Sequence, residues 1–347
     1  MISLVLNSYV KGNAVETLII IYFLIQLSVS MIQKPCNKCR GGKGVYKRPY
    51  SGEILCRDCF LSSIEYKTRK TISKHSMLQH NDRVAVAVSG GKDSLSLLYV
   101  LKNIFETSRR TPPVAITIDE GIKYYRDESL EIVNRFCANL GVENKIVSYK
   151  ELFGHDMDNA ILERPTNNMV SSCSICGTFR RRAIDIAAEE VGANVVATGH
   201  NLDDQIQTFM INMISGDVTR IGWTSPQSVG SEFHTQRKIK PFCEIYEQEL
   251  VFYALLRGIP FQTEHCPYMN ESIRTQIREF INTLERERPG IKYNFYNSVS
   301  KISNNLNAFS HHIDSKKCAT CGRIATSRIC SVCKTLNILE GNRNNAE

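Results

Sequence analysis

The residues Ser89 to Ser94, Ser-Gly-Gly-Lys-Asp-Ser, stand between a Val/Ala-alternating run and a leucine-rich run. A strand-to-helix turn of this composition gathers free backbone N–H groups and the positive end of a helix dipole, and Gly90 and Gly91 let a ligand approach the main chain. Its chemistry is anion binding, with phosphate the expected anion. It is not the common nucleotide loop, because Asp93 rather than a hydroxyl residue follows Lys92. A second set lies in Gly-His-Asn-Leu-Asp-Asp, Gly199 to Asp204. A carboxylate beside bound phosphates holds Mg2+ or serves as a base, a role expected of Asp204 more than Asp203. The competing reading is a capped helix: Asn201 as N-cap, with acids in the first turn offsetting the dipole. His200 reads as a packed histidine at a strand end.

Ten of the 13 cysteines form five Cys-x-x-Cys pairs. Cys36, Cys39, Cys56 and Cys59 near one end, and Cys318, Cys321, Cys330 and Cys333 near the other, have the spacing of closed tetrahedral zinc sites, which are structural because they leave no position for substrate. This spacing argues against a secreted disulfide scaffold. The remaining pair, Cys173 and Cys176, has no neighbouring pair, but the solitary Cys266 can supply a third thiolate. Three thiolates can hold a cubane iron–sulfur cluster with one iron open. A sulfur-carrying redox pair at a helix N-terminus and inert buried thiols are the other readings, and the chemistry alone does not separate the first from the second. Cys137 and Cys243 read as structural.

These groups need a scaffold that brings them together. Strands are expected at Val84–Val88, Val114–Ile118, Lys145–Ser148 and Asn194–Thr198, and helices around Leu95–Ile104, Ser129–Leu140, Phe179–Val191 and Asp203–Ile214. Such alternation gives an α/β fold, a doubly wound, mostly parallel sheet, with small zinc ribbons at both ends. Ligands bind at the carboxyl ends of such strands. There Ala87, Val88 and Ser89, then Ile118, Asp119 and Glu120, then Gly199 and His200 converge, the first two ends to hold adenine and ribose. The expected organisation is a leader over 1–30, a ribbon over 31–66, the nucleotide domain over 67–270, a helical segment over 271–314, a ribbon over 315–336 and a tail over 337–347. The apolar run Leu18–Val29 is too short to span a bilayer comfortably, and Met31 is expected to be the true initiator. With 43 basic against 35 acidic residues the formal net charge is +8, and the basic residues cluster at Arg180–Arg182, at Arg237, Lys238 and Lys240, and at Arg274 and Arg278. RNA is therefore a plausible partner.

The loop resembles that of the ATP pyrophosphatases (the PP-loop superfamily), which cleave ATP between its α and β phosphates to adenylate a substrate. The order of "RPYSGEILCRDCF", "VAVSGGKDS", "IDEGIKYYRDESL", "CSICGTFRRRAID" and "ATGHNLDDQIQTFMINMISGD", over about Cys36 to Cys333, resembles the cytoplasmic tRNA 2-thiolation protein 1 family and its archaeal relatives, the tRNA 2-thiouridine synthetases. The resemblance implies a cytoplasmic enzyme, with no membrane partner, that adenylates the C2 carbonyl oxygen of a tRNA uridine and displaces AMP with sulfur. It implies ATP bound by Ala87, Val88, Ser89, Gly90, Gly91, Lys92, Asp93, Ser94, Ile118, Asp119, Arg180 and Gly199. Lys92 would stabilise phosphate charge, and Asp204 would act as catalytic acid or base with Mg2+ nearby. Cys173, Cys176 and Cys266 would be catalytic ligands of a 4Fe-4S cluster, two Zn2+ would fill the ribbons, a ubiquitin-like protein thiocarboxylate would donate sulfur, and the chain would form a homodimer. Arg180 in "FRRRA" points to the branch acting on the wobble uridine; the T-loop uridine is the alternative. Two rival classes remain: an amide-forming or lysidine-type ligase, which leaves the three cysteines without work, and a zinc-ribbon RNA-binding module, which leaves the loop unexplained.

Overall fold

The computed structural model describes residues 34–165, 170–217, 220–221, 225–228, 236–269, 273–309 and 316–343; the leader and the proposed initiator Met31 lie outside them. In chain order the elements are β1 (Tyr46–Lys47), β2 (Ile54–Leu55), α1 (Arg57–Lys74), β3 (Val84–Ala87), α2 (Lys92–Thr107), β4 (Val114–Asp119), α3 (Tyr125–Leu140), β5 (Asn144–Ser148), α4 (Tyr149–Phe153), α5 (Met157–Leu162), α6 (Ser172–Glu190), β6 (Val195–Thr198), α7 (Leu202–Ile214), β7 (Gln227–Ser228), β8 (Arg237–Ile239), α8 (Glu247–Arg257), α9 (Arg274–Glu287), α10 (Ile291–Phe309), β9 (Lys316–Lys317), β10 (Ile324–Ala325) and α11 (Ser331–Arg343).

The expected parallel sheet is present. Its six strands run in the order β5-β4-β3-β6-β8-β7, and every pairing is parallel except that of the edge strand β7 with β8. The chain moves outward from β3 to β4 and β5, then returns to place β6 on the other side of β3. The strand order therefore reverses at β3, and a crevice opens beyond its carboxyl end, where the Ser89–Ser94 turn sits. Period-two alternation feeds two cores. Val84, Val86, Val195 and Ala197 enter one with Leu95, Leu98 and Phe105 of α2. Ala85, Val196, Ile116 and Ile118 enter the other with Phe179, Ala183 and Ala187 of α6.

Differences from the sequence reading that bear on the site are these. The helix after the glycine turn starts at Lys92 rather than Leu95, so Lys92 and Asp93 belong to its first turn. Helix α6 starts at Ser172, with Ser171 Oγ accepting from the Ser174 amide at 3.3 Å, so Cys173 and Cys176 lie inside its opening turns rather than ahead of it. Strand β8 has only three residues, two of them basic, and offers no alternation to read. Its charges are spent locally: Arg237 pairs with Asp82 at 2.5 Å and Lys238 with Asp185 at 2.7 Å. Lys240, the third member of that basic cluster, donates to Gln205 Oε1 at 3.2 Å and Ser225 O at 3.0 Å, so all three have contacts within the fold.

Neither ribbon is a free appendage. Tyr46, Leu55 and Phe60 join the first core, and Tyr46 and Phe60 both meet the ring of Phe252 on α8, at 4.9 and 5.2 Å between centroids. Arg48, buried, bonds Glu249 of α8 at 2.7 Å, Glu53 at 2.5 Å and Ser63 at 2.6 Å. At the other end Val332 and Leu339 pack in the second core with Ile175 and Phe179 of α6, and Arg323 reaches Glu189 at 3.1 Å. No helix among the described residues is long and apolar enough to cross a membrane.

Candidate active site

A cleft of about 290 Å3 opens at the reversal point. Of the residues expected around the nucleotide, Ala87, Val88, Ser89, Gly91, Asp93, Ser94, Ile118, Arg180 and Gly199 line it, together with Glu120, His200 and Asp204. Gly90, Lys92 and Asp119 are not among its lining. Gly90, at φ +87°, packs under Ser129, where a Cβ would stand 2.7 Å from the serine Cβ. Asp119 turns its carboxylate back to accept the Gly121 amide at 2.9 Å. No side chain caps the N-terminus of α2, which leaves its first amides directed at the cleft. Ser94 Oγ instead braces the turn, accepting from the Ser89 amide at 3.1 Å and donating to Gly91 O at 3.0 Å. Gly199 acts through proximity: a Cβ there would lie 2.9 Å from the backbone of Asp93 and Ser94. The end of β6 thus presses directly on the loop.

The two adjacent aspartates have separate work. Asp203 is buried, pairs with Lys292 of α10, and accepts the amide of Glu247, the first residue of α8, at 2.9 Å. Asp204 lines the cleft and completes a capping box with Asn201, the two reciprocal bonds measuring 3.0 and 3.1 Å. The capped-helix reading and the site reading are therefore both present in one residue. Asp93 adds a third acid. Its Oδ1 is shielded from solvent and has no hydrogen-bond partner among the described residues, and burial pushes its carboxyl up to about 7, with Lys92 opposing and Glu247 and Asp204 adding to the push. An orphaned carboxylate oxygen beside a second cleft carboxylate fits a hard divalent cation.

Lys92 bonds Asp93 Oδ2 at 3.0 Å and Glu247 Oε1 at 3.1 Å. Glu247 is held down to about 2: burial works against ionisation, but Lys92 and Arg278 outweigh it. The His200 imidazole, exposed at the end of β6, bonds Thr198 Oγ1 at 2.8 Å.

An arginine that the sequence reading missed organises the strand ends. Arg126 of α3 is buried and donates to the carbonyls of Ser89 at 2.8 Å and Ile118 at 2.5 Å, while its Nε pairs with Glu120 at 2.7 Å. Glu120 in turn holds Arg180, at 3.0 Å from Nε and 2.9 Å from Nη2. The Arg180 guanidinium, which Glu120 keeps firmly protonated, also donates to Cys176 Sγ at 3.2 Å. One side chain thus touches both the cleft and a thiol. Cys173 Sγ lies 3.9 Å from Tyr268 O, and burial raises the Cys266 thiol, with Cys176 and Cys173 adding to the rise and Arg180 opposing it. The segment bearing Cys266 also reaches the loop, where Gln262 donates its amide to Gly90 O at 3.0 Å. Cys176 and Cys266 are partly buried against the second core. This donor set, three thiols with an arginine donor against an apolar wall, suits an iron–sulfur cluster.

In each ribbon the four sulfurs lie within 4.8 Å of one another. Cys39 and Cys56 are 3.7 Å apart and Cys321 and Cys330 3.8 Å. Zinc–sulfur bonds of about 2.3 Å make a tetrahedron with edges of about 3.8 Å, whereas a disulfide needs about 2 Å. Gly42 keeps the first knuckle open, since a Cβ would lie 2.7 Å from that of Cys56. Both clusters fit a metal ion. Buried Cys137 and Cys243 sit in the first core, where Tyr296 Oη donates to Cys243 Sγ at 3.3 Å.

The PP-loop domain family matches residues 61–285, and the 2-thiouridine synthetase TtuA N-terminal LIM domain matches residues 36–61. The cytoplasmic tRNA 2-thiolation protein 1 of Chlamydomonas reinhardtii is 36% identical over 87% of this chain and 84% of its own. The tRNA 2-thiolation protein NcsA of Haloferax volcanii is 31% identical over 88% of this chain and 99% of its own. Among solved structures, the U34-tRNA thiolase NcsA of Methanococcus maripaludis, with its [4Fe-4S] cluster, superposes with a TM-score of 0.74 at 31% identity, covering 88% of this chain and 96% of its own.

Proposed function

The chain belongs to the cytoplasmic tRNA 2-thiolation protein 1 family, and on that footing we propose how its cleft carries out ATP-dependent 2-thiolation of a tRNA uridine, at the wobble position. The observation that carries the proposal is the reach of Arg180, which lines the cleft and donates to Cys176 Sγ. Activation and sulfur delivery can then act on one uridine without moving it.

In the first half-reaction the uridine C2 oxygen attacks the α-phosphorus of ATP, the bond to the bridging oxygen breaks, and pyrophosphate leaves. Backbone groups at Ala87, Val88 and Ile118 hold adenine and ribose, and the free amides of α2 with Lys92 stabilise charge on the phosphates. Asp93 and Asp204 would hold Mg2+, which would screen the phosphate charge, and Asp204 is also placed to move a proton. Arg180 binds the nucleotide while Glu120 fixes its plane. In the second half-reaction sulfur adds to C2 and the C2–oxygen bond breaks, releasing AMP with the former carbonyl oxygen.

Cys173, Cys176 and Cys266 would ligate a 4Fe-4S cluster, which when bound supplies an open iron for the incoming sulfur. Arg180 stabilises the Cys176 thiolate in that role. Zinc in both ribbons is structural. A ubiquitin-like protein thiocarboxylate as donor, a homodimeric state and a cytoplasmic location complete the proposal, the last in keeping with the name of the relatives.

Nucleoside mass spectrometry of tRNA from cells lacking the protein should show loss of wobble 2-thiouridine with T-loop modification intact; unchanged 2-thiouridine would sink the reading. Serine substitution at Cys173, Cys176 and Cys266 should abolish thiolation while ATP-dependent pyrophosphate release persists. Full product formation by those variants would favour the ligase class.

A further inference from the structure

The first half-reaction must accept a polyanionic triphosphate on the Lys92 side of the loop, yet three carboxylates gather there. Asp93 is acted on by both Glu247 and Asp204, and the Lys92 ammonium is already engaged by Asp93 and Glu247. With Mg2+ assigned to Asp93 and Asp204 and Arg180 to the nucleotide, the Glu247 carboxylate still stands on Lys92 where the terminal phosphates would lie, and α9 brings two cations to that side on one face, Arg274 and Arg278, four residues apart.

Arg274 is committed, bonding Gln207 Oε1 at 3.1 Å and Thr208 Oγ1 at 3.2 Å. Arg278 is not. It leans toward Glu247 Oε1 at 3.9 Å, beyond hydrogen-bond range, and its Nε is shielded from solvent with no partner among the described residues. Ile277 and Ile281, which flank Arg278 on the helix, are buried in the core and fix the base of its side chain. Glu247 thus receives both Lys92 and Arg278 through the same carboxylate oxygen, so displacing that carboxylate frees two cations together.

We propose that Arg278 is a further substrate-binding residue, closing bidentately on the terminal phosphates of ATP and remaining with pyrophosphate as it forms, while Glu247 holds it beside Lys92 until nucleotide arrives. A planar guanidinium fork suits this task better than a second lysine. The inference rests on the reading of the cleft as an ATP site.

The test is titration calorimetry of metal-replete protein, under reducing anaerobic conditions with Mg2+, against ATP, AMP and inorganic pyrophosphate, for wild type, Arg278→Gln and Arg278→Lys. Loss of charge-assisted bonds worth about 1.5–3 kcal/mol corresponds to roughly 10- to 150-fold weaker binding of ATP and pyrophosphate by Arg278→Gln, with AMP changed less than about twofold. Arg278→Lys should fall between. Equal weakening of AMP and ATP, or unchanged pyrophosphate binding, overturns the assignment. So does weakened tRNA binding with pyrophosphate affinity intact, which would make Arg278 an RNA contact. If the wild-type protein binds tRNA but neither ATP nor pyrophosphate, the reading of the cleft fails first and this inference with it.

Discussion

Removing the Asp203 carboxylate should unfold much of the molecule's stability without touching the chemistry directly. Asp203 and Lys292 pair with side chains only 5% and 7% exposed. Breaking such a pair from one side costs about 3–5 kcal/mol, because the survivor stays buried and uncompensated. Lys292 would keep its bond to Asn282 Oδ1 at 2.7 Å, which limits the loss. The Glu247 amide, now without its acceptor, adds about 1 kcal/mol. Asp203→Ala should therefore cost about 4 kcal/mol. Asp203→Leu with Lys292→Met removes both charges and should cost at least about 2 kcal/mol less than the summed single substitutions. Urea unfolding followed by far-ultraviolet circular dichroism on metal-replete, reduced protein measures each arm. A single substitution costing under about 1 kcal/mol, or strict additivity in the double variant, would refute the buried-pair argument. ATP-dependent activity per folded molecule should survive Asp203→Asn and collapse in Asp204→Asn, since only Asp204 lines the cleft.

Gly199→Ala sets a Cβ against the Asp93 and Ser94 backbone at 2.9 Å; the overpacking should cost about 1–3 kcal/mol and weaken ATP binding about tenfold or more by calorimetry, whereas Gly192→Ala, strained at φ +65° but on the open surface, should lose stability and leave ATP binding unchanged. The Glu244 carboxyl is held down to about 2 by hydrogen bonding from His75, against burial and with help from Lys74. Its folded pKa lies below its unfolded one, so its stabilisation is present above about pH 4.5 and is lost as pH falls toward 2; wild type should lose roughly 2–3 kcal/mol relative to Glu244→Gln across that window, and parallel stability curves would contradict it. Stripping metal with a chelator should lower the melting temperature of the whole protein, because Tyr46, Leu55 and Phe60 share the first core; an unchanged main transition would show that the ribbons fold apart from the sheet.

The sheet was legible because Val84–Ala87 and Val195–Thr198 alternate between two cores, and that periodicity is written locally. The anion turn was legible because only glycines pack as Gly90 and Gly199 do. The start of α6 was not, since serines and cysteines are weak helix formers and its stability comes from Phe179 and Ala183 in the second core. Arg126 was overlooked although the sequence held a signal. A cation in the first turn of a helix opposes the dipole, and such a residue needs a reason, here the carbonyls of Ser89 and Ile118 and the carboxylate of Glu120. Glu247 was hidden by the reverse logic: an acid beginning a helix looks like ordinary dipole compensation until Lys92, 155 positions away, is found on it. Contacts across such separations have no local pattern to read.

Arg48 of the first ribbon grips Glu249, and Glu249 stands two residues from the Glu247 that holds the loop lysine. The first turn of α8 thus joins the thiol knuckle on one side to the proposed triphosphate seat on the other. A preparation short of metal in that ribbon would therefore present as a nucleotide-binding defect, and an activity loss after oxidation of Cys36 or Cys39 would mimic a lesion in the loop some fifty residues downstream.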